Sequence, residues 1–193
     1  MWIETMRVCE LRHAFAYRTV CGVAGEGCFG RRAFGHPPMR RELCMRTYYA
    51  HTDEDGSLEH GQLLVDHLKA VADSAAKFAA PVGASDWARV VGLLHDAGKA
   101  SDAFQRRLAG APIKVDHATA GAQLASRAYS ANGIGRLLAF AIAGHHGGMP
   151  NWVKTGRRTP LKDRLETKDI EPFEDAYRTI IDLPAESCLS IPS

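Results

Sequence analysis

The chain has 193 residues, 46% of them apolar and 24% charged, with a formal net charge of +2. That is length for one ordinary domain with extra residues and a real core, and the composition is that of a soluble globular protein with no apolar run long enough to span a membrane. The charge is uneven: residues 1–44 carry seven Arg/Lys and four Asp/Glu (+3), whereas 45–193 carry 17 and 18 (−1), which excludes an overall basic nucleic-acid-binding surface for the larger part.

The start, Met1-Trp2-Ile3-Glu4, lacks the basic-then-apolar order of a secretory signal. Five cysteines without CxxC spacing indicate reduced thiols in a cytoplasm rather than a disulfide framework. Residues 1–44 show no helical or alternating period, and four of the cysteines fall there. A zinc site from Cys9, Cys21, Cys28 and Cys44 with His13 or His36 is conceivable, but these spacings match no ligand pattern with a mechanism. The favoured expectation is a disordered extension, or translation that begins at Met45.

From Met45 the pattern sharpens. Tyr48-Tyr49-Ala50-His51-Thr52 reads as a short extended segment and Asp53-Glu54-Asp55-Gly56 as a turn. The spacing of Leu64, Leu68, Val71, Ala75 and Phe78 predicts a helix over Gln62–Ala80, with His67 close to its buried face. Ser85 is the expected N-cap of the next helix, whose inward residues are Trp87, Val90, Val91 and Leu94. This helix ends in Leu93-Leu94-His95-Asp96-Ala97-Gly98-Lys99, where the adjacent His95 and Asp96 can reach one point only if the chain splays at the helix end, and Gly98 suits a left-handed closing residue.

Ser101 is the expected cap of a short helix through Phe104 and Leu108 that stops at Gly110, and Asp116 that of a helix over His117–Tyr129. Asn132-Gly133 is a turn, followed by a strongly apolar, buried helix over Leu137–Gly144 that ends in His145-His146-Gly147-Gly148. Lys154–Arg158 forms a basic loop, short helices start at Thr159-Pro160 and Glu171-Pro172, and Pro184–Ser193 is a tail without period. Scarcely any strand is expected, so the fold class is all-α.

A lone histidine on an apolar helix face is usually a core residue satisfied by a carbonyl. His51 and His60, in polar surroundings, read as surface residues. Five histidines and an aspartate at helix ends are different, because a shared metal centre satisfies all these buried polar groups at once. Imidazoles with one carboxylate suit Mn, Fe, Co, Ni or Zn better than a purely oxygen-seeking ion. Six ligands exceed one tetrahedral zinc, whereas two metals bridged by Asp96 would use them economically and could stabilise both attacking and leaving oxygens of a phosphoester. Lys99 is placed either to bind a phosphate oxygen or as an ordinary cation at a helix C-terminus.

These segments resemble the HD superfamily of metal-dependent phosphohydrolases and, within it, the stand-alone HD nuclease module of the type I CRISPR helicase–nuclease. The resemblance runs from about Met45 to Trp152. It is carried by Asp66-His67-Leu68, the run from Leu93 to Lys99, Phe104-Gln105 with Leu108, Val115-Asp116-His117-Ala118-Thr119-Ala120-Gly121-Ala122, and Ala141-Ile142-Ala143-Gly144-His145-His146-Gly147-Gly148. The last two are the more specific. The family also begins much like Tyr49-Ala50-His51-Thr52, in keeping with a start at Met45.

The resemblance implies an HD-domain helical bundle over residues 45–183 with a metal site at converging helix ends. It further implies a cytoplasmic nuclease cutting single-stranded DNA in CRISPR interference, with two divalent ions (Mn, Ni, Co, Fe or Mg) and, as partners, a helicase subunit or domain and the guide-RNA surveillance complex. His67, His95, Asp96, His117, His145 and His146 would be metal ligands, with Asp96 and Lys99 catalytic. Family members carry a further aspartate on a later apolar helix. Asp163, Asp169, Asp175 and Asp182 sit in no such helix, so the chain reads as C-terminally truncated or its site as incomplete. The competing readings are an HD phosphohydrolase of nucleotides, and a truncated, non-catalytic metal-binding or assembly module.

Overall fold

Residues 46–189, apart from Asn132 and Thr167, are described by a computed structural model. The extension, the cysteine–histidine zinc site and the last residues of the tail lie outside the described residues. Two short strands, β1 (Tyr49–His51) and β2 (Gln62–Leu63), precede seven α-helices: α1 (Leu64–Ala79), α2 (Ser85–Leu94), α3 (Asp102–Leu108), α4 (His117–Ala128), α5 (Ile134–Gly144), α6 (Leu161–Glu166) and α7 (Glu174–Arg178). Among the described residues the protein is mainly helical, as its periodicity predicts.

α1 packs on α2 and α4 on α5, and the two pairs share one core. Leu64 and Leu68 of α1, Val90 and Leu94 of α2, Leu124 of α4 and Leu138 and Ile142 of α5 are almost wholly buried there, with Leu161 and Tyr177 from the last two helices. The Tyr177 hydroxyl donates to the Leu93 carbonyl at 3.1 Å and fastens the C-terminal helix to the end of α2. Beyond α7 the chain continues to pack, for Leu189 is buried in the core and the Tyr129 hydroxyl donates to the Pro184 carbonyl at 2.9 Å.

Several local expectations are corrected. Gln62 and Leu63 do not start α1. They pair antiparallel with β1, and α1 begins at Leu64, whose N–H reaches the Tyr48 carbonyl at 2.8 Å. Phe78 is 63% exposed, because the buried stripe of α1 runs instead through Ala72, Ala75, Ala76 and Ala79. Ser85 is not a cap: it is the first residue of α2, and its hydroxyl donates to the Ala76 carbonyl of α1 at 3.0 Å. The helix expected from Leu137 starts three residues earlier, at Ile134, and Leu137 faces outward at 59% exposure. Ser101 and Asp116 do cap their helices, accepting from the N–H groups of Phe104 and Thr119.

Close backbone approach sets where the bundle converges. A Cβ on Gly121 of α4 would lie 2.0 Å from the Leu94 carbonyl oxygen, so α4 can cross the end of α2 only with glycine there. Gly121→Ala is therefore expected to cost about 3 kcal/mol, the upper end of overpacking penalties. Urea unfolding would read this as a lower midpoint with little change in slope.

Candidate metal centre

α2 ends at Leu94, His95 keeps helical angles, and Asp96 leaves them (φ −114°, ψ 18°) before the chain enters a 3-10 turn over Ala97–Ala100. This splay lets the adjacent His95 and Asp96 side chains meet, with Nε2 3.2 Å from Oδ2. Gly98 does not close the helix in the left-handed region, being absent from the positive-φ glycines. It is required for another reason: a Cβ there would come within 2.6 Å of the His117 carbonyl oxygen and 2.7 Å of the Ala120 Cβ. The turn is thus pressed onto the first residues of α4.

Asp96 is completely buried, and its two oxygens face different partners. Oδ2 lies 3.1 Å from His67 Nε2, 3.2 Å from His95 Nε2 and 2.9 Å from Lys99 Nζ. Oδ1 lies 3.3 Å from His117 Nε2 and 3.4 Å from His145 Nε2. His146 completes the second group, its Nε2 2.7 Å from that of His117. All six sequence-predicted ligands therefore converge, from α1, the end of α2, the start of α4 and the end of α5.

Two of the rings are oriented alike. His95 Nδ1 lies 2.7 Å from the carbonyl oxygen of Gly92, and His145 Nδ1 lies 2.6 Å from that of Ile142, in each case three residues back on its own helix. A carbonyl only accepts, so each Nδ1 carries the hydrogen and each Nε2 is turned into the centre. Asp96 Oδ1 and His145 Nε2 make no hydrogen bond, although only 3.4 Å separates them. Two buried acceptors facing each other are costly unless a cation lies between them, so the donor set fits a metal ion.

Electrostatics agree. Burial alone would push the Asp96 carboxyl up, but His95, Lys99 and the other imidazoles hold it well below the usual range. Burial lowers His67, and it lowers His146 to about 4 with the help of His145 and His117. His95 also feels burial most, yet the Asp96 charge and the Gly92 carbonyl outweigh it, and the ring is raised above its ordinary value. The Asp96 charge thus favours a proton on His95.

Lys99 is only 3% exposed. Besides Asp96, its ammonium donates to the Ala50 carbonyl at 3.1 Å and contacts His51 Nε2 at 3.3 Å. All three of its hydrogens thus have protein acceptors. The expectation that His51 is a surface residue is corrected. Its ring lies edge-on to His67 with centroids 5.1 Å apart, and burial followed by the Lys99 charge lowers it to about 4. Its polar sequence neighbours point to the surface, and β1 is too short for its alternation to be read, although Ala50 beside it is fully buried. His60 is exposed, as expected. Asp163, Asp169, Asp175 and Asp182 are exposed, and none joins the histidine–aspartate groups among the described residues.

The centre opens on one side. Next to His117 and His146 lies a cleft of about 1080 Å³ whose lining includes five basic residues (Lys114, Arg157, Arg158, Arg164 and Lys168) against three acidic ones (Asp116, Asp169 and Glu171). Arg164 braces its floor, donating to Thr119 Oγ1 at 2.8 Å and to the Ala143 carbonyl at 2.9 Å, and so joins α6 to α4 and α5. Arg158 donates to the Gly147 carbonyl, holding the basic loop against the glycine turn after His146.

A buried carboxylate between two sets of imidazoles, beside a basic cleft, is an arrangement that could hold divalent metal. The chain belongs to the HD domain family, whose pattern it matches over residues 64–172, more than half its length. That family consists of metal-dependent phosphohydrolases. Among curated proteins none matches this chain. The match begins at the first residue of α1, so β1 and His51 lie ahead of it.

Metal binding here should release protons, because an ion at His95 Nε2 displaces the proton that Asp96 favours. Since the His95 value is raised, affinity should strengthen as pH rises through and above the ordinary histidine value of 6.5. Calorimetry of metal-stripped protein in buffers of different ionisation enthalpy reads this release directly. The same heat in every buffer would contradict it.

Proposed function

We propose that this protein is a cytoplasmic, two-metal nuclease that hydrolyses single-stranded DNA during CRISPR interference. A helicase subunit or domain and a guide-RNA surveillance complex would be its partners. The single observation that carries the chemical part is the division of the Asp96 carboxylate, with Oδ2 toward His67 and His95 and Oδ1 toward His117, His145 and His146 as the nearby imidazoles. Each set, with its carboxylate oxygen, would hold one divalent cation. When bound, such a pair supplies an activated water and positive charge for the oxygens of a phosphodiester.

The chain's own residues would do the rest. Lys114, Arg157 and Arg158 at the cleft give flanking phosphates charged partners, which the −1 balance of residues 45–193 does not supply globally. The carbonyls of Gly92 and Ile142 keep His95 and His145 in the tautomer and orientation that ligation needs. The choice of DNA over a free nucleotide rests on the resemblance of Val115–Ala122 and Ala141–Gly148 to the CRISPR HD nuclease module, and on a cleft at the upper end of the size range for small-molecule sites.

The test is cleavage of circular single-stranded DNA by metal-stripped protein resupplied with Mn, Ni, Co or Mg, with nucleoside triphosphates and cyclic nucleotides as rival substrates. Metal-dependent linearisation is expected, reduced at least about 100-fold by Asp96→Asn. Faster hydrolysis of a nucleotide than of DNA would transfer the protein to nucleotide phosphohydrolysis. Bound metal without any hydrolysis would mark a metal-binding assembly module.

A further inference from the structure

β1 is bound to the turn that carries Asp96 more firmly than a three-residue strand requires. Gln105 of α3 grips Tyr49 on both sides, accepting from its N–H at 3.1 Å and donating to its carbonyl at 2.9 Å, and the same amide donates to the Lys99 carbonyl at 2.8 Å. Lys99 in turn donates to the Ala50 carbonyl at 3.1 Å. The residue held in place by these bonds is His51, at the end of β1 and paired with Gln62.

His51 stands at the metal centre. One ligand atom from each of His51, His67 and Asp96 falls within 4.8 Å of the others, the same closeness that unites Asp96, His117, His145 and His146. Its Nε2 faces the Lys99 ammonium at 3.3 Å. A lysine ammonium has hydrogens but no acceptor, so that nitrogen presents its lone pair. A lone pair already turned toward a cation beside Asp96 is the state that metal ligation requires. The late aspartates are all exposed and outside both groups, so among the described residues His51 is the additional donor brought to the His67 side.

From this geometry we infer that His51 is a metal ligand, joining His67, His95 and Asp96 to hold one of two divalent ions. The inference rests on the two-ion reading above. Lys99 then acts as a positioning residue, bonded to Ala50 and Asp96 rather than to substrate.

The experiment is calorimetric and elemental analysis of Mn binding by the metal-stripped full chain, with His51→Gln and His146→Ala compared. Glutamine keeps an acceptor for Lys99 but is a poor ligand for such an ion. Two ions per chain are expected for the unaltered protein, and His51→Gln should bind one tightly and the other at least about tenfold more weakly. Two ions at unchanged affinity in His51→Gln would overturn the inference. If the unaltered protein binds a single ion, the two-ion reading fails by itself. Loss of that ion in His51→Gln but not in His146→Ala would then keep the His51 assignment, and the reverse would refute it. Binding of no ion would refute both. Should His51→Gln fail to fold, the unaltered protein still decides the matter through diethyl pyrocarbonate labelling read by peptide mass. Metal should protect His51 at least about tenfold while exposed His60 reacts as before, and equal labelling of His51 with and without metal would overturn the inference.

Discussion

The structure depends on one buried negative charge. Asp96 is fully enclosed, and a carboxylate without partners in that position would be prohibitive. It is stable there because Lys99 touches one oxygen while imidazoles from four segments surround both. The arrangement also explains why helix ends rather than helix faces carry the site. Only where α2 unwinds into the Ala97–Ala100 turn can consecutive residues aim at one point, and only at the end of α5 do His145 and His146 both reach the centre. The α-helical bundle is in this sense a frame that delivers terminal side chains to a common place.

That frame is held by contacts that look incidental in isolation. Gly98 and Gly121 let α4 lie against the end of α2 and the turn after it, so His117 arrives beside Asp96 with no intervening side chain. Asp116, pulled down to about 2 by Lys168 and the Thr119 groups despite partial burial, caps α4 at the residue that begins with His117. Gln123 of α4 donates to the carbonyls of Arg164 and Lys168, each at 2.8 Å, and so ties the basic side of the cleft to the helix that begins with His117. The basic wall of the cleft and His117 are thus held to one another through α4.

Much of this was legible in the chain. Apolar spacing identifies α1, α2 and α4, and the caps at Ser101 and Asp116 are local chemistry that tertiary structure leaves intact. The convergence of all six candidate ligands follows from placing each near a buried face or a helix end. What failed was decided by tertiary contacts. Ser85 has a carbonyl of α1 within reach and bonds to it instead of capping. Phe78 and Leu137 lie on faces that no neighbouring element among the described residues covers enough to bury them. Gly98 serves close approach rather than backbone handedness, two uses that one letter cannot distinguish. His51 is misread as a surface residue because a three-residue strand carries no usable period, and its strand is held in place by Gln105, more than fifty residues away.

The central claim is that the Asp96 carboxylate separates two cation positions. Crystals of the manganese-loaded protein, measured for anomalous scattering, test it most directly. The account predicts two peaks about 3.5–4 Å apart, one toward His67 and His95 and one toward His117, His145 and His146. A single peak on one side of Asp96, or peaks away from it, would contradict the account.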